Sequence, residues 1–323
     1  MTASSSAPTN IDPSLPPPPP GREGTSLLTG RQVEFRSHWD YAWNRFLKDR
    51  FALYGGILAF ILVLIAVGAP LFAPADPMFQ FPEGLSGAFA QPLPPGSESF
   101  PLGTDSLGRD FLSRLIWGGR ISLTVAVAAN VVSITVAVIL GGIAGFLGGW
   151  ADTAIMRTVD LALGFPALLL QIALATVLPP SLLTVIIVIT IFGWVYPTRI
   201  FRGQILSLRE RPFVEAARAL GASKIRIFVK HLLPHLLPTI IVFATLRVPT
   251  AILTEAGLSF LGLGVRPPTP SWGNLILEGT RFYRSAPWLV LLPGLLIMLT
   301  ILSFNLLGDG LRDALDPREG QVR

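Results

Sequence analysis

Two charged residues, Arg247 and Glu255, stand inside an otherwise apolar stretch, and they are the residues best placed to act on something that crosses it. Eight residues apart, they sit about 12 Å along a helix and roughly 80° around it. An ionised group at membrane depth faces protein or water rather than lipid, so both are candidates for lining a polar path. The structural alternative has Glu255 near the outer end, paired with Arg266 or with a neighbouring subunit. Other chemistry is scarce. His38, His231 and His235 fall at the edges of apolar segments and form no cluster with carboxylates, so neither a catalytic site nor a metal site is expected. The chain has no cysteine, which removes thiolate ligands and disulfides. No GxxxxGK[ST] phosphate loop occurs, so the chain is not expected to hydrolyse a nucleotide.

The elements that must position such residues are membrane helices. Of 323 residues, 51% are hydrophobic and only 14% charged, against roughly 25% charged in a globular chain. Continuously apolar windows, without the every-second-residue alternation of a barrel, predict an all-α integral membrane protein. Six transmembrane helices are expected near residues 51–72, 121–147, 158–178, 182–201, 238–261 and 287–307, with Pro179-Pro180-Ser181 dividing the longest window. With both termini cytoplasmic, inner segments hold 18 Lys and Arg against 6 in outer loops, the asymmetry expected of that orientation. The net charge of +5 is explained by those loops and gives no reason to expect nucleic acid.

Along the chain, residues 1–44 read as a disordered, Pro- and Ser-rich cytoplasmic tail and juxtamembrane segment, with five prolines at 16–20. Residues 45–120 hold the first span and an external segment, residues 121–308 a core of five spans, and residues 309–323 a cytoplasmic tail. In the external segment, PLGTDSLGRDFLSRLIWGGRISL (101–123) predicts a short amphipathic helix, ended by Gly118-Gly119 and lying on the membrane surface or packed on the outer ends of the spans, with Arg109, Asp110, Ser113 and Arg114 mostly on its polar face. Gly141, Gly145 and Gly149 recur every fourth residue, a line for close helix packing, within the chain or against a subunit.

One charged segment interrupts the apolar run. RERPFVEAARALGASKIRIFVKHLLPHLLP (209–238) carries six Lys and Arg and two Glu. Pro212 suits a first helical turn, Glu215 the positive end of the helix dipole, and Gly221 a left-handed terminus. Ser223 can cap a second helix, on which Ile225, Phe228, Val229 and Leu232 align. Phe213, Ala216, Ala217 and Leu220 form a modest apolar strip on the first. Two short helices joined at Gly221 fit either an interfacial loop or a docking surface for a partner.

Glu215-Ala216-Ala217, Gly221 and Leu233-Pro234 resemble the EAA loop (here 203–235) of permease subunits in bacterial ABC importers. The general pattern has Ile where this chain has His231, a departure that resembles the peptide-transporter branch. RFLKDRFALYGGILAFILVLIAVGAPLFAPADP (45–77), the 101–123 segment, LTEAGLSFLGLGVRPPTPSWGNLI (253–276) and LLGDGLRDALDPR are similar to the C-type permease of the dipeptide, oligopeptide and nickel importers.

The resemblance implies a type I ABC-importer permease fold in the bacterial inner membrane. It also implies a path shared with a B-type permease, two ATPase subunits that use ATP and Mg, and an external substrate-binding protein. No cofactor is implied for this chain. Glu215 would pair with a basic group of an ATPase, Ala216 and Ala217 would allow close contact, and Gly221 would set the bend. Di- or oligopeptide is the expected cargo, with a nickel chelate or another small solute as the alternative. A proton-coupled secondary transporter would also explain intramembrane charges, but it predicts a repeat with broken helices that the sequence does not show.

Overall fold

A computed structural model describes residues 38–87, 90–97 and 99–315. The proline run at 16–20 and residues 316–323 lie outside the described residues. The chain divides into Met1–Tyr41 and Ala42–Arg323, and the second unit contains the apolar core.

Helix α1 (His38–Lys48) leads into α2 (Arg50–Val67) through Asp49, whose Oδ1 accepts the Phe51 and Ala52 amides at 2.9 and 3.2 Å. That cap satisfies amides which a helix entering lipid cannot leave bare. After α3 (Ala69–Phe72), the described residues between 73 and 110 form a folded loop around the two-residue strands β1 (Leu85–Ser86) and β2 (Gln91–Pro92). Thr104 Oγ1 ties it together, donating to Gly84 O and accepting the Leu93 amide.

Helix α4 (Phe111–Gly142), capped by Asp110, continues through a π-helical turn at Ile143–Leu147. It does not end at Gly118-Gly119, and no separate short helix forms there. Both glycines are needed for contact with Trp272: a methyl on Gly119 would stand 2.8 Å from Trp272 Cζ2. The expected polar face is turned inward, with Arg109, Asp110, Ser113 and Arg114 all buried.

The next two expected spans, 158–178 and 182–201, are each broken. Helices α5 (Gly149–Leu163) and α6 (Ala167–Val177) meet at 87°, and α7 (Leu182–Gly193) and α8 (Val195–Leu208) at 42°. Pro166 accounts for the first break, since its ring disfavours helical backbone at Phe165. Pro197 in the first turn of α8 leaves the α7–α8 junction one backbone donor short. Helices α9 (Pro212–Ala219) and α10 (Lys224–Ile227) follow, and α10 runs through a second π turn, Phe228–Leu232, into α11 (Leu233–Phe260). The stretch Lys224–Phe260 is thus helical throughout, starting well before the expected 238, with Pro234 directly after the π turn. Helices α12 (Trp272–Gly279) and α13 (Trp288–Leu315) complete the described chain.

Among the described residues, four helices are long and apolar enough to cross a membrane: α2, α4 with its π turn, the continuous α10–α11, and α13. The number is up to six if each bent pair is one span. The main core lies among α4, α7, α11, α12 and α13, around Phe111, Val125, Val188, Ile252, Leu258, Trp272 and Leu275. Phe60, Leu71, Leu291 and Met298 are exposed, as lipid-facing side chains would be.

Candidate functional site

The charged segment is built on a small core of its own. Val214 and Ala217 of α9 are buried with Ile205, Ile227, Leu232 and Leu236, and Phe146, Leu208 and Phe228 pack around them. Full burial of a valine is worth about 1.5–3 kcal/mol, enough to hold so short a helix in place. Gly221 has φ +79°, its amide bonds Arg218 O at 2.9 Å, and the Ala222 amide reaches Ala217 O at 3.0 Å. This is a left-handed helix terminus of the kind glycine adopts without strain. Ser223 Oγ caps α10 by accepting the Arg226 amide at 3.3 Å. Phe213 stacks on His235 at 4.8 Å, fastening α9 to the start of α11.

The strip expected on α9 is rotated from the one observed. Ala217 faces the chain's own core, while Glu215, Ala216 and Leu220 face outward, with Leu220 88% and Ile225 78% exposed. The Glu215 carboxylate has no partner among the described residues. Leu233 is half-buried and Pro234 exposed.

The glycine line is only partly a line. Gly141 and Gly145 lie against α8, where added methyls would stand 2.9 Å from Thr198 O and Arg202 O, so they serve packing within the chain. Gly149 meets nothing within 4 Å and has φ +59°, because the π turn and the Gly148 corner carry it off that face. The same corner is held by Arg202, which grips Asp152 with two nitrogens, and by Arg209 Nη1, which donates to Gly145 O at 3.1 Å.

Arg247 and Glu255 have opposite surroundings. Glu255 is fully buried: its Oε2 accepts from Ser122 Oγ and its Oε1 from Ser259 Oγ, both at 2.7 Å. Ser122 Oγ in turn accepts the Trp272 amide at 3.2 Å. Glu255 therefore neither lines an open path here nor pairs with Arg266; it ties α11 to α4 and to the start of α12. Arg247, in the middle of α11, makes no ion pair or hydrogen bond among the described residues and opens on a cavity of about 250 Å³. An arginine at such a position costs roughly 2.5–3.5 kcal/mol on insertion scales, so it is not a neutral passenger.

A further cluster escaped sequence reasoning. Asp105 Oδ2 lies 2.6 Å from Arg109 Nε and 3.0 Å from Arg114 Nε, and Glu278 Oε2 lies 3.1 Å from Arg109 Nη2 and 2.9 Å from Arg114 Nη2. Two carboxylates and two guanidiniums neutralise one another with Arg114 wholly buried, clamping the loop before α4 onto α12. The only signal available was the density of charges in the 101–123 segment.

Comparison with known proteins gives a consistent outcome. Residues 137–321 match the family described as binding-protein-dependent transport system inner membrane component, and residues 37–95 match the N-terminal TM domain of oligopeptide transport permease C. The chain is 41% identical over 282 residues to the oligopeptide transport system permease protein OppC of Bacillus subtilis, covering 87% of this chain and 90% of that one. It is 40% identical over 307 residues to the dipeptide transport system permease protein DppC of Alkalihalophilus pseudofirmus, covering 93% and 94%. The glutathione transport system permease protein GsiD of Pectobacterium atrosepticum is 39% identical over 290 residues, covering 89% and 94%. Among solved structures, a chain of the MetNI methionine ABC transporter in inward-facing conformations aligns with TM-score 0.51 over 64% of this chain and 97% of that one. At 19% identity that likeness concerns the fold alone.

Proposed function

The chain belongs to the family of binding-protein-dependent transport system inner membrane components, and from that premise we propose how it is driven and what it carries. It is a permease subunit of an ABC importer, a transport subunit rather than an enzyme. Its cargo is a di- or oligopeptide, in keeping with relatives named for oligopeptides and dipeptides. It sits in the bacterial inner membrane as six spans, each bent pair counting as one, with both termini cytoplasmic. It shares its path with a B-type permease, takes substrate from an external binding protein, and is moved by two ATPase subunits that bind and hydrolyse ATP with Mg.

The observation that carries this reading is the two-sided character of α9. One face, Val214 and Ala217, is committed to the chain's own core; the other presents Glu215, Ala216 and Leu220 with nothing to cover them. Such a helix suits a cleft in a cytoplasmic partner: Glu215 supplies a charge for a basic group, and Ala216 a smooth approach. Gly221 sets the angle to α10, and Leu233-Pro234 lies where the loop joins the span. Because α10, the π turn and α11 are one helix, movement of this segment would pass directly to Arg247 and Glu255. ATP binding would draw the ATPases together and open the path outward, and hydrolysis would reset it by coupled movement of packed helices.

The test is ATP-dependent peptide uptake by proteoliposomes holding both permeases and both ATPases. Ala216→Trp and Gly221→Pro should leave the chain inserted while ATP hydrolysis no longer drives uptake. Ala217→Trp, which intrudes on the chain's own core, should instead lower its stability by about 1–3 kcal/mol. Normal coupled uptake with Ala216→Trp and Gly221→Pro would defeat the assignment, and uptake without any ATPase would favour a proton-coupled transporter.

A further inference from the structure

The cavity beside Arg247 is walled by α4 (Asn130, Ser133), α6 (Gln171), α7 (Ile189, Phe192) and α11. Three polar groups meet there without mutual satisfaction. Arg247 has no acceptor among the described residues, and Glu255 on the same helix is closed off by its serines. Asn130 is only 6% exposed; its Nδ2 donates to Ala244 O, but its Oδ1 is buried without a donor. Gln171, also buried, makes no side-chain hydrogen bond among the described residues. Gly193 keeps the wall open: a methyl there would collide with Ser133 Oγ and stand 3.7 Å from Arg247 Nη2. A cation, a bare acceptor and an amide around a mostly apolar chamber are complementary to a carboxylate next to an amide N–H.

We propose that this cavity is a subsite of the translocation path for the C-terminal end of a peptide, Arg247 taking the carboxylate and Asn130 Oδ1 the neighbouring backbone N–H. The proposal rests on the peptide-importer assignment above and deepens it. A volume of about 250 Å³ is below the ~300–1,000 Å³ of pockets that enclose drug-sized ligands. It therefore holds one terminal residue rather than a whole peptide, and the subsite reads the chain end while tolerating varied side chains elsewhere. Planar guanidinium geometry matches a carboxylate with two parallel bonds, which an ammonium cannot supply. Gln171 contributes an amide that can serve either partner.

The experiment supplies the reconstituted complex with a pool of short peptides in two forms, free acid and C-terminal amide, and reads uptake of each by mass spectrometry. Preference imposed by the external binding protein is common to all variants and cancels when acid-to-amide ratios are compared. Arg247→Gln should lower the ratio at least ~10-fold, the loss expected when a charge-assisted hydrogen bond is removed. Arg247→Lys should retain part of the preference. Gln171→Glu, which places a second anion in the chamber, should also lower the ratio and provides the answer if Arg247→Gln fails to assemble. A ratio unchanged in the assembled variants overturns the subsite and leaves the importer assignment standing. A wild-type complex that takes up no peptide in either form overturns both.

Discussion

The two ends of α11 are built on opposite plans. Beyond its C-terminal end, Asp105, Arg109, Arg114 and Glu278 complete one another inside the chain, and Glu255 is closed by Ser122 and Ser259. At its N-terminal end, Glu215, Leu220 and Ile225 face outward with nothing among the described residues to complete them, and mid-helix Arg247 opens on a cavity. Charges alone therefore do not mark function. A charge whose partners lie in the same chain fixes the fold; a charge or apolar face whose partner is missing points to what arrives from outside.

The sharpest way to break this contrast is at Arg114. Replacing it by Ala leaves Asp105 and Glu278 with one cation between them in a buried site. Removing one partner of such a network costs about 3–5 kcal/mol. Thermal unfolding of the solubilised subunit should show a lowered Tm and cells should accumulate less of it, whichever peptide is offered. A variant that folds as well as wild type but changes substrate preference would move this cluster from the first plan to the second.

A smaller effect separates the glycines near the Gly148 corner. Gly145→Ala puts a methyl 2.9 Å from Arg202 O where the π turn after α4 packs on α8, and overpacking of that kind costs about 1–3 kcal/mol. Gly149→Ala meets no atom, and its cost comes only from φ +59°, about 1 kcal/mol. Denaturation midpoints of the two variants in one detergent check the order. Equal losses would mean that both glycines pack alike.

Much of this plan could be read from sequence where the signal is local. The long apolar windows, the terminus at Gly221 and the cap at Ser223 follow from composition, the permissiveness of glycine and the chemistry of a hydroxyl before a helix. The strip on α9 was misassigned because periodicity identifies a face without saying which neighbour covers it. Arg109 and Arg114 could be given a polar face but not a partner, because one of their carboxylates, Glu278, lies 169 and 164 residues away. The break at Pro166 was hidden inside a window whose apolarity is the same on both sides of it. The cavity depends on Asn130, Gln171 and Arg247 converging from three helices, and no single helix shows it.

Glu255 offers the smallest effect and the finest test of the contrast. Ser122 Oγ accepts the Trp272 amide, so its own hydrogen is free to be given to Glu255 Oε2, while Ser259 gives its hydrogen to Oε1. Both carboxylate oxygens are thus acceptors, and Gln can reproduce only one. Its amide nitrogen would meet a hydroxyl that must turn its hydrogen away, a loss of one net hydrogen bond, about 1 kcal/mol. Glu255→Gln should therefore lower Tm slightly, while uptake per assembled transporter and the acid-to-amide ratio stay at wild-type values. A ratio that falls as it does for Arg247→Gln would place Glu255 on the path with the arginine, and the two charges of α11 could no longer be assigned to different tasks.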